Sequence, residues 1–263
     1  MIKPKKSLVQ NFLTDKNIIN KIINFSEINK NNILEIGPGT GNLTRKIIEK
    51  KPKKLLLVEK DNLLSRNLKN EFKNFNNVKI YNNDILKFDI EKNINKDTII
   101  IGNLPYNVSS QILIKLIRFK KWLPKFKRLV LMFQKEVADK ILASYGSEHY
   151  GRLAIITAAK LKVVDYFDVS PNSFYPVPKV KSTVLIFEPI INKDYKVKNI
   201  ENLEKISHIF FSRKRKMINK AFKILFKEPE EVAKKIHIKL SLRPTRLTIC
   251  EYFKIAKFFE NSL

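Results

Sequence analysis

Short apolar segments rich in Ile, Val and Leu alternate along most of this chain with segments whose apolar positions repeat at helical spacing. NILEIG predicts a strand and GNLTRKIIEK a helix, and KKLLLVEKD and NLLSRNLKNEF repeat the pair. Such alternation is typical of a parallel sheet covered by helices on both faces. The pattern therefore predicts an α/β fold.

The same alternation continues toward residue 189. NVKIYNND, DTIIIGN and RLVLMF predict strands, and SSQILIKLIRF and QKEVADKILA predict helices. The last two β-type runs, LKVVDYFDV and KSTVLIFEP, lack a helix between them, so we expect an antiparallel edge there. Ahead of the first strand, DKNIINKIINF predicts an amphipathic helix with Thr14 and Asp15 as candidate N-caps.

The pattern changes after Pro189, where only helical segments follow. They are IENLEKISHIFFSRK, KMINKAFKILF, PEEVAKKIHI and LTICEYFKIAKFFEN. We therefore predict two domains, an α/β domain over 1–190 and a small all-helical domain over 191–263.

Basic residues strongly outnumber acidic ones, 52 Lys and Arg against 25 Asp and Glu, for a formal net charge of +27. Part of this surplus is what the codon bias of an AT-rich genome produces, since Lys, Asn and Ile are all abundant. The basic runs are nevertheless clustered, as KPKK at 3–6, RFKKWLPKFKR at 118–128 and SRKRK at 212–216. Clustering favours a polyanionic partner such as nucleic acid or an anionic membrane.

Cysteine and histidine are scarce. One cysteine, Cys250, excludes an internal disulfide, and the scattered His149, His208 and His237 do not form a metal-binding spacing. The basic N-terminus lacks the apolar region of a signal peptide, and no apolar run approaches the length of a membrane helix. We expect a protein without structural metal in a reducing cytoplasm.

A glycine-rich turn, LEIGPGTGNLT, places Gly37, Gly39 and Gly41 between a predicted strand and helix. Glycine lets the backbone turn sharply and approach a ligand closely, although some such turns are only tight connections. Glu59 ends the next strand, where a carboxylate can accept hydrogen bonds from ribose hydroxyls. A nucleotide-like cofactor is the prediction.

The spacing of the glycines narrows the choice of cofactor. It differs from the dinucleotide fingerprint, and no P-loop lysine follows. A ribosyl ligand without pyrophosphate fits better, and S-adenosylmethionine is the commonest. Asp84, which follows the third strand, is expected at the same sheet edge, although alone it would be read as a turn aspartate.

The fourth strand ends in Asn103-Leu104-Pro105-Tyr106. Pro105 fixes φ and ends the strand, so a strand-ending turn is one interpretation. The other is chemical. An adenine amino nitrogen is a poor nucleophile, and the Asn103 side-chain carbonyl and the Leu104 backbone carbonyl can accept its two hydrogens. Tyr106 can then stack on the base.

The motifs quoted above, together with QNFLTD at 10–15, FYPVPKVKS at 174–182, FFSRKRKMINKAF and LRPTRLT, resemble the KsgA (RsmA) family of small-subunit rRNA adenine dimethyltransferases. The resemblance covers essentially the whole chain. It implies a class I, Rossmann-like methyltransferase sheet with a small C-terminal helical domain, and transfer of two methyl groups to each of two adjacent adenosines.

The resemblance also assigns residues. It implies that Phe174 is the second face of a stacking clamp and that the C-terminal domain binds rRNA phosphates. Cofactor contacts are implied for Asn11, Leu13, Gly37, Gly39, Gly41, Glu59, Asp84 and Asn103, catalytic roles for Asn103, Leu104, Pro105, Tyr106 and Phe174, and phosphate contacts for Arg213, Lys214, Arg215 and Lys216. Val9 stands where many members have glycine.

Three other functions share parts of this pattern. They are large-subunit rRNA adenine methylation of the macrolide-resistance type, RNA binding without catalysis, and DNA adenine methylation. Leu104, FYPVPKV and RPTRL favour the small subunit over the first, and intact Gly37, Glu59, Asp84 and Asn103 argue against the second. We expect a monomer that acts on rRNA of the immature small subunit and binds no membrane.

Overall fold

Strands and helices alternate as the apolar pattern predicts. The computed structural model describes residues 10–120, 123–191 and 197–262. Its strands are β1 (Phe12–Leu13), β2 (Asn32–Ile36), β3 (Lys54–Glu59), β4 (Val78–Asn82), β5 (Thr98–Asn103), β6 (Arg128–Gln134), β7 (Leu161–Val169), β8 (Phe174–Tyr175) and β9 (Ser182–Pro189). Its helices are α1 (Lys16–Phe25), α2 (Asn42–Glu49), α3 (Asn62–Glu71), α4 (Ile90–Asn93), α5 (Ser109–Ile117), α6 (Lys135–Leu142), α7 (Arg152–Thr157), α8 (Ile200–Phe211), α9 (Asn219–Leu225), α10 (Pro229–Lys235) and α11 (Ile249–Asn261).

Seven strands form one sheet in the order β4-β3-β2-β5-β6-β9-β7. The pairs among β4, β3, β2, β5 and β6 are parallel, and β9 runs antiparallel to β6. The predicted α/β class and its antiparallel edge are therefore confirmed. β1 and β8, two residues each, pair separately, and neither they nor α4 and α7 were predicted, because such short elements leave no periodic pattern.

The central strands carry nearly continuous apolar runs because helices cover both faces of the sheet. In β5, for example, Ile99, Ile100 and Ile101 are fully buried. The chain adds β3 on one side of β2 and β5 on the other, so the strand order reverses at β2. Ligands of open α/β sheets bind beside such a reversal, at the carboxyl ends of the strands.

The division of the chain differs from the predicted domains in one segment. One compact unit comprises Met1–Ala138 and Lys162–Pro189, and the other comprises Asp139–Leu161 and Ile190–Leu263. The two units meet in the sequence at Pro189, and Asp139–Leu161 is grouped with the C-terminal helices. The reason is packing: Tyr150 and Ile155 share one hydrophobic cluster with residues of α8 and α11.

Asp15 caps α1, as predicted, because its side chain accepts hydrogen bonds from Asn17 N and Ile18 N. The basic run at 3–6, Val9, and residues 121 and 122 of the run at 118–128 lie outside the described residues. Among the described residues, no helix has the length and apolar character needed to cross a bilayer.

Candidate active site

A cavity of about 220 Å³ lies at the carboxyl edge of the sheet. Four parts of the first unit line it: the segment at residues 10–13, the glycine turn, the ends of β3 and β4, and the turn after β5. The structure therefore brings together every residue assigned above to the cofactor except Gly41, and of the residues assigned to catalysis it brings Asn103, Leu104, Pro105 and Tyr106.

The glycine turn needs glycine for conformation. Gly37, Gly39 and Gly41 have φ angles of 66°, 59° and 80°, in the left-handed region that other residues rarely adopt. A Cβ on Gly39 would also come within 2.9 Å of the Phe12 ring. Gly41 is the N-cap residue of α2. It shapes the turn and does not line the cavity.

Glu59 is held by the backbone at the end of β3. Its Oε2 accepts a hydrogen bond from Gly39 N at 3.1 Å, and its Oε1 accepts one from Asp61 N at 2.8 Å. Burial raises the pKa of this carboxyl above its usual value, while the two amide donors oppose the shift. Each oxygen keeps a second lone pair, so the group fits the ribose hydroxyls of a bound cofactor.

Asp84 lies in the turn after β4. Its Oδ2 pairs with Lys60 Nζ at 2.9 Å, and its Oδ1 accepts a hydrogen bond from Leu86 N at 2.9 Å. The lysine contact lowers the pKa of this carboxyl. Asp84 is thus both a turn aspartate and a cavity residue. No cluster of three or more His, Cys, Asp or Glu side chains suited to a metal ion occurs among the described residues.

Glu35 is a buried carboxyl that lines the cavity, although none of the sequence motifs gave it a role. Burial raises its pKa to about 8, against the opposing hydrogen bond that Thr44 Oγ1 donates to its Oε2 at 2.7 Å. Its position directly before Ile36 and the glycine turn was the available signal. A carboxyl here fits the cationic end of an amino-acid-like cofactor.

The segment at residues 10–13 lies against the cavity through several contacts. Asn42 Nδ2 donates to Leu13 O at 2.8 Å, and Asn103 Nδ2 donates to Asn11 O at 2.9 Å. The Phe12 ring covers Gly39. Asn42 and Phe12 were not predicted, because their roles depend on contacts with residues far away in sequence.

The turn after β5 holds the Asn103 side chain so that its amide nitrogen and its amide oxygen have different surroundings. The amide nitrogen is occupied by Asn11 O, so Oδ1 is the atom available as an acceptor. Leu104 is 1% exposed and folds back over Gly102, where an added Cβ would lie 2.8 Å from Leu104 Cδ2. Gly102 is therefore a further residue that this turn requires.

Tyr106 is a half-buried cavity residue whose hydroxyl is 2.7 Å from Ser182 Oγ. Burial raises the pKa of this phenol. Ser182 itself is fully buried at the start of β9. The hydrogen bond holds the ring at one angle, which suits a stacking surface.

Phe174 is not placed as predicted. It is 2% exposed and belongs to the hydrophobic core with Leu13, and it does not line the cavity. In the β1–β8 ladder Phe174 pairs with Leu13, which belongs to the core and also lines the cavity, and Tyr175 pairs with Phe12. The Phe174 ring is packed in the core, so Tyr106 is the member of the predicted clamp that lines the cavity in this structure.

The four basic residues assigned to RNA lie in the second unit, between α8 and α9. Arg213, Lys214, Arg215 and Lys216 are all exposed. Lys214 Nζ donates to Glu148 O at 2.8 Å, so this side chain has a structural contact as well.

Comparison with known proteins agrees with this geometry. The sequence profile of the family described as ribosomal RNA adenine dimethylase matches residues 1–261. Ribosomal RNA small subunit methyltransferase A of Pelagibacter ubique (strain HTCC1062) is 46% identical over 266 residues, covering 99% of this chain and 98% of its own length. The protein of the same name from Malacoplasma penetrans (strain HF-2) is 41% identical, covering 91% and 85%.

Solved structures give the same fold. A dimethyladenosine transferase from Plasmodium falciparum has a TM-score of 0.82 at 29% identity, covering 95% of this chain and 98% of its own. The 23S rRNA methyltransferase ErmE has a TM-score of 0.70 at 20% identity, covering 95% and 100%, a likeness of fold alone. Since the profile and the curated relatives align along nearly the whole sequence, this chain belongs to the ribosomal RNA adenine dimethylase family.

Proposed function

We propose that this protein transfers methyl groups from S-adenosylmethionine to the 6-amino groups of two adjacent adenosines near the 3′ end of small-subunit rRNA, two to each. It acts as a cytoplasmic monomer on the immature small subunit. The curated relatives carry the small-subunit name, which favours this substrate over the large subunit.

One observation carries the proposal: the Asn103 amide is oriented by a hydrogen bond from its nitrogen to Asn11 O at 2.9 Å. The side-chain oxygen is thereby left to accept a hydrogen from an adenine amino group, and the Leu104 backbone carbonyl can accept the second. Accepting both hydrogens makes the nitrogen more nucleophilic without a strong base.

Other residues of the cavity bind and orient the two substrates. Glu59 and Glu35 provide carboxyls for the ribose and amino ends of the cofactor, and Tyr106 provides a ring surface for the adenine. S-adenosylmethionine supplies, when bound, an electrophilic methyl group on a sulfonium.

The test is transfer of labelled methyl groups to small subunits that lack the modification. We expect about four methyl groups per subunit, as two adenosines with two each require. Asn103→Ala is expected to lower the rate by at least about 100-fold, the usual effect of removing one preorganised polar group at a reacting centre.

Asn67→Ala, an exposed amide on α3, is the matched control and should transfer at the normal rate. Circular dichroism and thermal unfolding, neither of which depends on cofactor binding, verify that Asn103→Ala is folded. Equal labelling of large subunits would contradict the substrate, and unchanged transfer by Asn103→Ala would contradict the mechanism.

A further inference from the structure

The segment Tyr175–Lys181, called the rim loop below, is fixed at both ends to structures that line the cavity. At its start, Tyr175 pairs with the cavity residue Phe12 in the β1–β8 ladder. At its end, Lys181 O accepts a hydrogen bond from Lys135 N at 2.9 Å, and the next residue, Ser182, contacts Tyr106. The rim loop therefore lies at the mouth of the cavity.

Ser173, two residues before the rim loop, is held equally well. Ser173 O accepts hydrogen bonds from Thr14 N at 2.9 Å and from Thr14 Oγ1 at 3.2 Å, and Ser173 Oγ donates to Asp15 Oδ2 at 3.0 Å. Pro176 and Pro178 fix two φ angles inside the loop. A loop restrained in this way loses little conformational entropy when it binds a partner.

The surface chemistry of the rim loop is aromatic and basic. Tyr175 is 53% exposed and shares the face of the β1–β8 ladder occupied by Phe12, the face opposite the core. Lys179 and Lys181 are exposed. Val177 and Val180 add exposed apolar surface between them.

We infer that the rim loop binds the single-stranded nucleotides that flank the target adenosine. Tyr175 stacks on a neighbouring base, and Lys179 and Lys181 contact phosphates. An exposed ring beside lysines matches the way single strands are bound, by base stacking and backbone charge. Tyr175 does not line the cavity, so it contacts the flanking nucleotides that stay outside the cavity when the target base enters it. The inference rests on the proposed function.

The first test uses an oligoribonucleotide with two adjacent adenosines and 2-aminopurine, a fluorescent base, at the neighbouring position. Binding to the wild type is expected to quench 2-aminopurine by stacking. Tyr175→Ala should abolish the quenching and weaken binding about tenfold, within the range measured for loss of one stacked base, whereas Tyr175→Trp should restore both. Tyr166→Ala is the matched control, because Tyr166 is 54% exposed on β7.

The second test concerns the lysines. Charge removal in Lys179→Gln/Lys181→Gln should reduce the slope of log affinity against log salt by about 1.4, since each phosphate contact on a single strand contributes about 0.7. The control is Lys69→Gln/Lys73→Gln, which removes the same charge at exposed positions at the end of α3 and just beyond it. Its slope should equal that of the wild type.

Three outcomes separate the alternatives. Normal quenching and normal affinity in Tyr175→Ala, with methyl transfer intact in the wild type, would overturn the rim-loop assignment. Normal binding of the oligonucleotide combined with reduced transfer to whole subunits would indicate a protein partner and would also overturn it. Quenching by a wild-type protein that transfers no methyl would reject the proposed function while supporting the rim loop.

Discussion

Glu35 shows how one buried side chain makes the stability of this protein depend on pH. Its carboxyl is buried on β2 beside the cavity, and burial raises its pKa to about 8. In the unfolded chain the same group ionises near pH 4.5. The folded state therefore holds a proton that the unfolded state releases, and stability falls as pH rises from about 4.5 toward about 8.

The expected result is that Glu35→Gln removes this loss. In the absence of cofactor, wild-type stability should fall relative to the variant by about 1.4 kcal/mol per pH unit within that window, the value for one proton. Urea unfolding at several pH values measures the difference. Glu49→Gln, an exposed carboxyl on α2, should follow the wild type. A constant difference between Glu35→Gln and the wild type would show that Glu35 is ionised throughout.

The glycine turn is a structural element that connects β2 to α2, and its backbone conformation positions both Phe12 and Glu59. Gly39 combines a φ of 59° with a Cβ position only 2.9 Å from the Phe12 ring. Its amide also donates to Glu59. A side chain here would disturb the covering segment and the carboxylate together.

Gly39→Ala is therefore expected to weaken cofactor binding at least about tenfold, as loss of about one good hydrogen bond does. Calorimetry with S-adenosylmethionine measures it. Gly146→Ala is the control for backbone strain, since Gly146 has a φ of 82° in the second unit. Both variants should lose about 1–2 kcal/mol of stability, but Gly146→Ala should bind the cofactor normally. Equal binding by both variants would contradict the role given to Gly39.

The net charge of +27 belongs to the whole molecule, and it makes RNA binding sensitive to salt. The effect of net charge on RNA affinity can be separated by experiment from the effect of one basic cluster. Arg213, Arg215 and Lys216 are exposed in the second unit, and the family resemblance implies that they contact rRNA phosphates.

Replacing Arg213, Arg215 and Lys216 with Gln should reduce the salt slope of rRNA affinity by about 2–3, at about 0.7–0.9 per phosphate contact. The control replaces Lys50, Lys51 and Lys53, exposed residues just before β3 begins and hence at the sheet edge opposite the cavity. It removes the same charge and should change the slope much less. Equal effects of the two triple variants would show that net charge alone governs binding.

The division of the chain into units shows what local pattern cannot predict. The apolar pattern of Asp139–Leu161 does not distinguish this segment from the α/β region on either side of it. The segment nevertheless packs with helices that come after Pro189. Periodicity shows that a residue is buried, but it does not show which core buries it.

The order and type of the long elements, the glycine turn, the cap at Asp15 and the Asn103 turn were determined by the sequence alone, because each depends on residues close together in the chain. Tertiary structure decided the rest: the contact of Asn103 with Asn11, the burial of Phe174, the exposure of Tyr175 and the raised pKa of Glu35. These depend on strand register and on burial by distant segments. A shift of one residue between β1 and β8 would exchange the faces of Phe174 and Tyr175, and no local pattern specifies that register.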